Sequence, residues 1–196
     1  MVLKHLSDRE LVELYRKGSQ ESIEILIKRH RNKVYTYILM TVKNPALAED
    51  LFQDTFIKVV RSLDAGRYQE NGRFLSWVIR IAHNLIIDYF RKQNQMNTYS
   101  NDDCENDMFN NQKFSDRTVE EEMVREQIYQ DVRKLIHFLP EEQREVVVLR
   151  HYAGLSFKEI ADHTNVSINT ALGRMRYALI NMRKLIEEKN LNLTLQ

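Results

Sequence analysis

The sharpest structural signal in this chain lies in residues 155–186, which read LSFKEIADHTNVSINTALGRMRYALINMRKLI. Ser156 followed three residues later by Glu159 forms a capping box, which predicts that a short helix begins here. Asn165 falls where a tight turn needs a left-handed residue, and Ser167 is a suitable N-cap for a second, longer helix. This succession of short helix, tight turn and longer helix predicts a helix-turn-helix.

The second helix of such a motif enters the major groove of DNA, with its first residues at the base edges. Asn169 can pair with adenine, and Arg176 with guanine, each through two hydrogen bonds. Arg174 better suits a phosphate, a contact that positions a protein without specifying sequence. Gly173 costs about 1 kcal/mol of helix stability, so we expect it to admit close approach to DNA or to another helix. The residues predicted to contact DNA are Ser167, Ile168, Asn169, Thr170, Leu172, Gly173, Arg174 and Arg176.

The same helix is expected to bury one stripe of apolar side chains that recur three or four residues apart. Its predicted members are Ala171, Met175, Ala178, Leu179, Met182 and Leu185 or Ile186. A capped helical hairpin with arginines on its surface also occurs in proteins that never touch DNA. This segment alone therefore leaves a purely structural hairpin open as the alternative.

Residues 1–93 show dense apolar periodicity, which predicts a small helical bundle. Ser7 and Glu10 form another capping box, and Asn44 before Pro45 marks the start of a further helix. The strongest period in the chain is formed by Leu75, Val78, Ile79, Ala82, Leu85, Ile86 and Tyr89. With only 5 Gly and 2 Pro among 196 residues, turn signals are few, so the predicted fold class is all-α.

Residues 94–120 differ in composition from the segments on either side. They are rich in Asn, Asp, Gln and Ser and contain almost no apolar run, so they cannot bury enough surface to offset chain entropy. We therefore expect two small helical domains, residues 1–93 and 121–190, joined by a flexible polar and acidic linker at 94–120. A short tail, residues 191–196, follows the second domain.

The composition argues against several other classes of protein. The formal net charge is +1, so any affinity for DNA must come from local basic patches. The single Cys104 excludes an internal disulfide and a multi-cysteine zinc site, and no apolar stretch approaches the ~20 residues of a membrane span. The histidines form no HxxxH or HExxH pair, and the sequence has neither a Gly-rich phosphate loop nor a nucleophile elbow. We expect a cytoplasmic protein with no catalytic residue, cofactor, metal site or membrane insertion.

Aromatic and basic side chains gather around the loop near residues 66–72 and the helix that follows it. Tyr68, Arg73 and Trp77 together are typical of a platform on which single-stranded bases stack. Arg80, Asn84, Asp88 and Arg91 recur at helical spacing on the face opposite the apolar stripe. The alternatives are that the aromatic rings pack in the core and that the charged face is merely solvated.

Three segments, taken together and in order, resemble the extracytoplasmic-function group of RNA polymerase sigma factors. The family's C-terminal domain, which reads the upstream (minus-thirty-five) promoter element, resembles residues 139–186, LPEEQREVVVLRHYAGLSFKEIADHTNVSINTALGRMRYALINMRKLI. The helix that docks on the polymerase clamp resembles residues 48–63, AEDLFQDTFIKVVRSL. The strand-opening segment that reads the minus-ten element resembles residues 72–93, GRFLSWVIRIAHNLIIDYFRKQ. The chain departs from the usual pattern at Asn169 and Gly173, which leaves the promoter sequence undetermined.

The resemblance implies a protein that catalyses nothing by itself and directs core RNA polymerase to promoters. The residues that it implies for binding the polymerase are Asp50, Leu51, Gln53, Asp54, Phe56 and Lys58. It also implies that the loop captures a base turned out of the non-template strand. The residues that it implies for the minus-ten element are Tyr68, Arg73, Trp77, Arg80, Asn84, Asp88 and Arg91. The implied partners are the clamp of the largest subunit and the flap of core RNA polymerase, promoter DNA, and an anti-sigma factor.

Two other interpretations remain open. The chain could be an autonomous helix-turn-helix regulator, which would bind a palindromic site as a dimer without polymerase. It could instead be an adaptor that uses the hairpin only for protein contacts. The near-neutral charge and the clamp-like helix count against the autonomous regulator.

Overall fold

The computed structural model of the chain describes residues 2–69, 71–96 and 131–189. These residues form helices joined by short turns and contain no strand, so the prediction of an all-α fold is confirmed for them. The chain divides into two compact units, one built from the N-terminal helices and one from the C-terminal helices. Each unit is described by itself.

The N-terminal unit begins with a short 3-10 helix, Val2–His5. Four α-helices follow: α1 (Asp8–Arg16), α2 (Gln20–Val42), α3 (Pro45–Asp64) and α4 (Phe74–Met96). The predicted capping box is present at the N-terminus of α1. The Ser7 hydroxyl accepts a hydrogen bond from the backbone N–H of Glu10, and the Glu10 carboxylate accepts one from the backbone N–H of Ser7. Asn44 caps α3 as expected, with its side-chain oxygen 3.1 Å from the backbone nitrogen of Leu47.

Helix α2 forms the centre of this unit and packs against α1, α3 and α4. Its fully buried side chains include Leu26, Val34 and Ile38, and Val59 of α3 and Ile79 of α4 are fully buried as well. Burial of each such side chain stabilises the fold by roughly 1.5–3 kcal/mol relative to leaving it in water. The buried stripe of each helix therefore decides which of its faces is left for a partner.

Polar contacts fix α1 and the loop after α3 against the rest of the unit. The Tyr15 hydroxyl donates to the Asp64 carboxylate over 2.6 Å, and this bond raises the pKa of Tyr15 to about 12. Arg16 donates to the backbone carbonyl of Tyr68 and so ties the loop between α3 and α4 to α1. This loop is the one predicted to capture a base.

The C-terminal unit contains helical residues 131–137 and three further helices. These are α5 (Glu141–His151), α6 (Phe157–Thr164) and α7 (Ile168–Glu188), and α7 packs on both α5 and α6. The predicted capping box at Ser156 is present, Asn165 takes the left-handed conformation with φ of 54°, and the Ser167 hydroxyl caps α7. The helix-turn-helix prediction is confirmed down to its capping residues.

The prediction that Leu179 belongs to the buried stripe of α7 is wrong. Ala171, Met175 and Ala178 are buried, and the members nearer the C-terminus are half-buried, but Leu179 is 44% exposed. At 100° per residue, Leu179 lies about 80° around the helix from Ala171 and only about 20° from Leu172. It therefore belongs to the exposed side of α7.

The predicted domain boundaries stay predictions, because the segment between the two domains lies mostly outside the described residues. Helix α4 continues to Met96, three residues past the boundary predicted at 93. Residues 97–130, which hold most of the predicted linker and the first ten residues of the predicted second domain, lie outside the described residues, as does the tail.

Candidate nucleic-acid interface

Helix α7 presents one face to solvent directly opposite its buried stripe. The side chains of Asn169 and Arg176 are exposed, and they lie on the same face because seven residues make two helical turns. Ile168 and Leu172 stand next to them and are 45% and 43% exposed. An exposed first half of a capped helix, with an amide and a guanidinium that can each form paired hydrogen bonds, has the chemistry needed to read base edges.

Three other residues predicted to contact DNA, Ser167, Thr170 and Arg174, form contacts within the protein. The Ser167 hydroxyl accepts from the backbone N–H of Thr170 and lies 2.8 Å from its hydroxyl, so both side chains take part in capping. Arg174 lies about 160° around the helix from Arg176. Its guanidinium forms an ion pair with Glu142 of α5 over 3.3 Å. The structure thus brings Asn169 and Arg176 together and directs Arg174 to the other flank.

Gly173 sits in the interior of α7 on its exposed side. A Cβ atom built at this position would meet nothing within 4 Å. Within the described residues, then, close packing of another helix does not account for the glycine. The space beside Gly173 is open to an approach by something outside the described residues.

The second candidate surface runs along α4. Trp77, Arg80, Asn84, Asp88 and Arg91 follow one another at spacings of three or four residues, which places them on one line. All are exposed except Trp77, which is half-buried, and the buried residues of α4 lie on the opposite face. Apart from the Asp88 carboxylate, this line of two cations, an amide and an aromatic ring fits the backbone and bases of a nucleic-acid strand.

The aromatic residues at the start of α4 form a cluster of tilted and edge-to-face rings with Tyr68 of the loop before it. Tyr68 is only 3% exposed, and its ring centroid lies 4.4 Å from that of Trp77 and 5.8 Å from that of Phe74. Arg73, immediately before α4, is exposed. Of the three residues predicted to form the platform, Tyr68 is buried against Trp77, whereas Arg73 and part of Trp77 are exposed.

The predicted polymerase-binding helix is α3. Its polar residues Asp50, Gln53, Asp54 and Lys58 are all exposed along one side. Leu51 and Phe56 are 5% and 6% exposed, because they belong to the stripe that packs into the core.

One residue of this surface was missed by the sequence reasoning. Ile57 is 49% exposed and lies four residues after Gln53 and three after Asp54, in the middle of the polar side of α3. Its helical spacing from the acidic residues was the signal that could have found it, but an isoleucine is ordinarily assigned to the core. The apolar contribution on this surface comes from Ile57.

Burial shifts the pKa of two ionisable groups near these surfaces. Burial lowers the pKa of His83 on α4, whose Nδ1 lies 3.0 Å from the Tyr37 hydroxyl. Burial also raises the pKa of Glu145 on α5, although the nearby charge of Arg174 acts in the opposite direction. The hydrogen bond between His83 and Tyr37 links α4 to α2 behind the exposed face of α4.

The described residues contain no group of three or more His, Cys, Asp or Glu side chains arranged to hold a metal ion. No helix within residues 2–69, 71–96 and 131–189 has both the length and the apolar character to cross a membrane.

Comparison with known proteins identifies one sigma-factor region in each part of the chain that carries a candidate surface. The family model for Sigma-70 region 2 matches residues 26–96, and that for Sigma-70, region 4 matches residues 129–176. The RNA polymerase sigma factor CarQ of Myxococcus xanthus is 33% identical over 92% of this chain and 98% of its own length. The ECF RNA polymerase sigma-E factor of Salmonella typhimurium is 30% identical over 95% of each chain.

The fold has a counterpart among solved structures. The sigma factor RpoE from Bartonella quintana, in co-crystals with the anti-sigma factor NepR, superposes with a TM-score of 0.59. That match covers 79% of this chain and 89% of the other at 20% identity, so it speaks to the fold. With both regions matched in order and relatives aligned over nearly their full length, this chain belongs to the sigma-70 family of RNA polymerase sigma factors, in its extracytoplasmic-function group.

Proposed function

We propose that this chain binds core RNA polymerase and directs it to promoters by reading two DNA elements with two separate helical surfaces. The observation that carries the proposal is the exposed face of α7, where Asn169 and Arg176 stand opposite the buried stripe of a capped helix-turn-helix. A second polar face on α4 belongs to the region that precedes it in the family order. Two DNA-binding surfaces on one chain suit a promoter that has two separated elements.

On α7, Asn169 and Arg176 specify bases of the upstream element, and Gly173 allows the helix backbone to approach the groove. Ser167 and Thr170 sit at the start of the helix, where backbone N–H groups favour phosphate. Arg174 contributes mainly through its ion pair with Glu142 and stabilises the domain that carries the reader. Arg176 is therefore the residue whose loss should affect sequence choice most.

On α4, the line that includes Arg80, Asn84 and Arg91 tracks the strand at the minus-ten element, and Asp88 lies on the same line. Trp77 and Arg73 offer the exposed part of the platform to an unstacked base. Tyr68, packed under Trp77, positions that ring instead of contacting DNA itself. Stacking of a base on an aromatic side chain is worth about 1–3 kcal/mol, which helps to offset the cost of unstacking it from the duplex.

The polymerase-binding surface is the exposed side of α3. Asp50, Gln53, Asp54 and Lys58 supply charge and hydrogen bonds, and Ile57 supplies an apolar centre. An apolar residue ringed by polar ones is the usual arrangement of an energetically important contact. The clamp of the largest subunit is the proposed partner of α3, and the flap is the proposed partner of the C-terminal domain.

We also propose regulation by an anti-sigma factor, because RpoE of Bartonella quintana was solved together with one.

The chain itself carries out no catalysis: RNA synthesis belongs to the polymerase, and sigma factors contribute recognition. It acts where chromosome and polymerase meet, in the bacterial cytoplasm. The residues between the two domains would let the domains span two promoter elements separated by a fixed spacer.

In vitro transcription with purified core polymerase on a pool of promoter fragments tests the proposal. We expect the chain to shift initiation to a defined subset of fragments, and we expect Arg176→Ala to lose this preference. Arg174→Ala is the matched control on the same helix and should retain the preference. Initiation that is the same with and without the chain would refute the proposed function. A band shift on the same fragments without polymerase would favour the autonomous regulator if binding were tight.

A further inference from the structure

Two rows of exposed side chains run side by side along α7. Asn169 and Arg176 define the polar row, and Ile168, Leu172 and Leu179 define the apolar row. The three residues of the apolar row are 45%, 43% and 44% exposed. At 100° per residue, Leu172 lies about 60° around the helix from Asn169, so the two rows form adjacent edges of one face.

A groove lies beside part of the apolar row, at Leu172 and Leu179. Leu172, Leu179 and Phe157 line this groove, together with Arg176 and Arg183. No carboxylate lies among the lining side chains in the described part of the chain, so the groove favours a negatively charged occupant. Large apolar residues exposed next to one another mark a contact surface more often than isolated ones do. An occupant that is anionic and also presents apolar groups fits both observations.

The major groove of DNA has this combination, because the C5 methyl group of thymine is the apolar feature among its base edges. Ile168 and Leu172 are separated by about 6 Å along the helix axis, close to two base-pair steps. In an A·T pair, the adenine N6 and N7 atoms and the thymine methyl group belong to opposite strands within the same groove. Two adjacent rows on one helix can thus contact both strands.

We propose that Ile168 and Leu172 read thymine methyl groups in the upstream promoter element, on the strand opposite the bases that Asn169 and Arg176 read. This inference rests on the proposed function and adds a base preference to it. The apolar row makes A·T pairs with thymine on a defined strand part of the recognised sequence. Leu179, about 10 Å further along the axis from Leu172, lies beyond these bases and borders the groove.

Replacement of thymine by uracil tests the proposal, since it removes the methyl group and leaves the base-pairing edge unchanged. A promoter is first selected by the holoenzyme from a random pool of duplex fragments. Each thymine of its upstream element is then replaced by uracil, one position at a time, and holoenzyme binding is measured by competition. We expect at least one replacement to weaken binding about four-fold, the effect of losing one buried methyl group.

The variants Leu172→Ala and Ile168→Ala assign the effect to the apolar row. Each should remove the difference between thymine and uracil at one position, because the side chain that senses the methyl group is gone. Tyr177→Ala is the matched control: Tyr177 is 62% exposed on the same helix, about 140° from Leu172, and its loss should leave the difference intact. Circular dichroism melting of each variant verifies that the helix remains folded.

The outcomes separate the two levels of the hypothesis. A holoenzyme that selects no upstream element refutes the proposed function and, with it, this inference. A selected element without thymine, or one in which every uracil replacement leaves binding unchanged, overturns the inference alone. The inference also fails if Leu172→Ala and Ile168→Ala weaken binding to thymine and uracil duplexes equally, since the row would then serve another partner, such as a protein segment.

Discussion

Substitution of Gly173 by alanine should stabilise the C-terminal unit and at the same time weaken promoter binding. Gly173 is the sixth residue of the 21-residue helix α7, so it has an ordinary helical backbone. Alanine is favoured over glycine in a helix interior by about 0.8–1 kcal/mol. A Cβ at this position meets nothing within 4 Å, so no steric cost offsets that gain. We expect about 1 kcal/mol of added stability.

Hydrogen exchange of the full-length chain, followed by mass spectrometry on peptides from α7, measures this gain locally. A stabilisation of about 1 kcal/mol slows exchange about five-fold for amides that open with the unit. Peptides from the N-terminal unit should be unaffected, which provides an internal reference. Binding of the holoenzyme to its promoter should weaken in the same variant, because the new methyl group occupies the space through which α7 approaches DNA.

Gly72→Ala is the matched control, since a Cβ there also meets nothing within 4 Å. The only relevant difference is the backbone, because Gly72 has φ of +74°, where an alanine is strained by about 1–2 kcal/mol. The same substitution should therefore destabilise at Gly72 and stabilise at Gly173. Unchanged or faster exchange in α7 of Gly173→Ala would refute the reasoning about this helix.

Substitutions at three further positions test contacts that hold the helices in place. Tyr15→Phe removes the bond to Asp64 and should cost about 1 kcal/mol at neutral pH. Because the pKa of Tyr15 is raised to about 12, its contribution is complete below pH 10 and lost as the pH rises toward 12, so urea melts of wild type and variant should converge there. Ser156→Ala should lower the stability of α6 by about 1 kcal/mol in hydrogen exchange, and Ser156→Asp should retain it. Burial opposes ionisation of Asp8, but hydrogen bonds from His30 and Arg29 outweigh it and hold its pKa below the usual value. Asp8→Asn should therefore destabilise by about 1 kcal/mol above pH 4, and this difference should disappear in acid melts as the pH falls through the lowered pKa.

Helix ends were predicted well because the signals that set them are local. The capping boxes at Ser7 and Ser156, and the cap at Asn44, each depend on a hydrogen bond across three residues. Such bonds form from the helix itself and need no contact from elsewhere in the fold. The left-handed turn at Asn165 followed from the same kind of local reasoning.

Residues at the borders of apolar stripes were predicted less well. Leu179 was expected in the core and is exposed. Tyr68 lies in the loop between α3 and α4, where no helical period applies; it was expected at the DNA surface and is buried. A helix of fixed period says which residues share a side, but a border residue can face either way until a neighbouring element covers it. The isoleucine at position 57 shows the same limit, because its residue type suggested burial and its position on α3 leaves it exposed.

From the sequence alone came the helices, their caps, the helix-turn-helix and the order of segments that resembles the sigma family. Only the tertiary structure decided which side chains of these helices are available to DNA or polymerase. Arg174 and Arg176 are equivalent as residue types, yet one is paired with Glu142 and the other faces solvent. The physical reason is that availability depends on how each helix is rotated against its neighbours, and that rotation is set by long-range burial of the whole core.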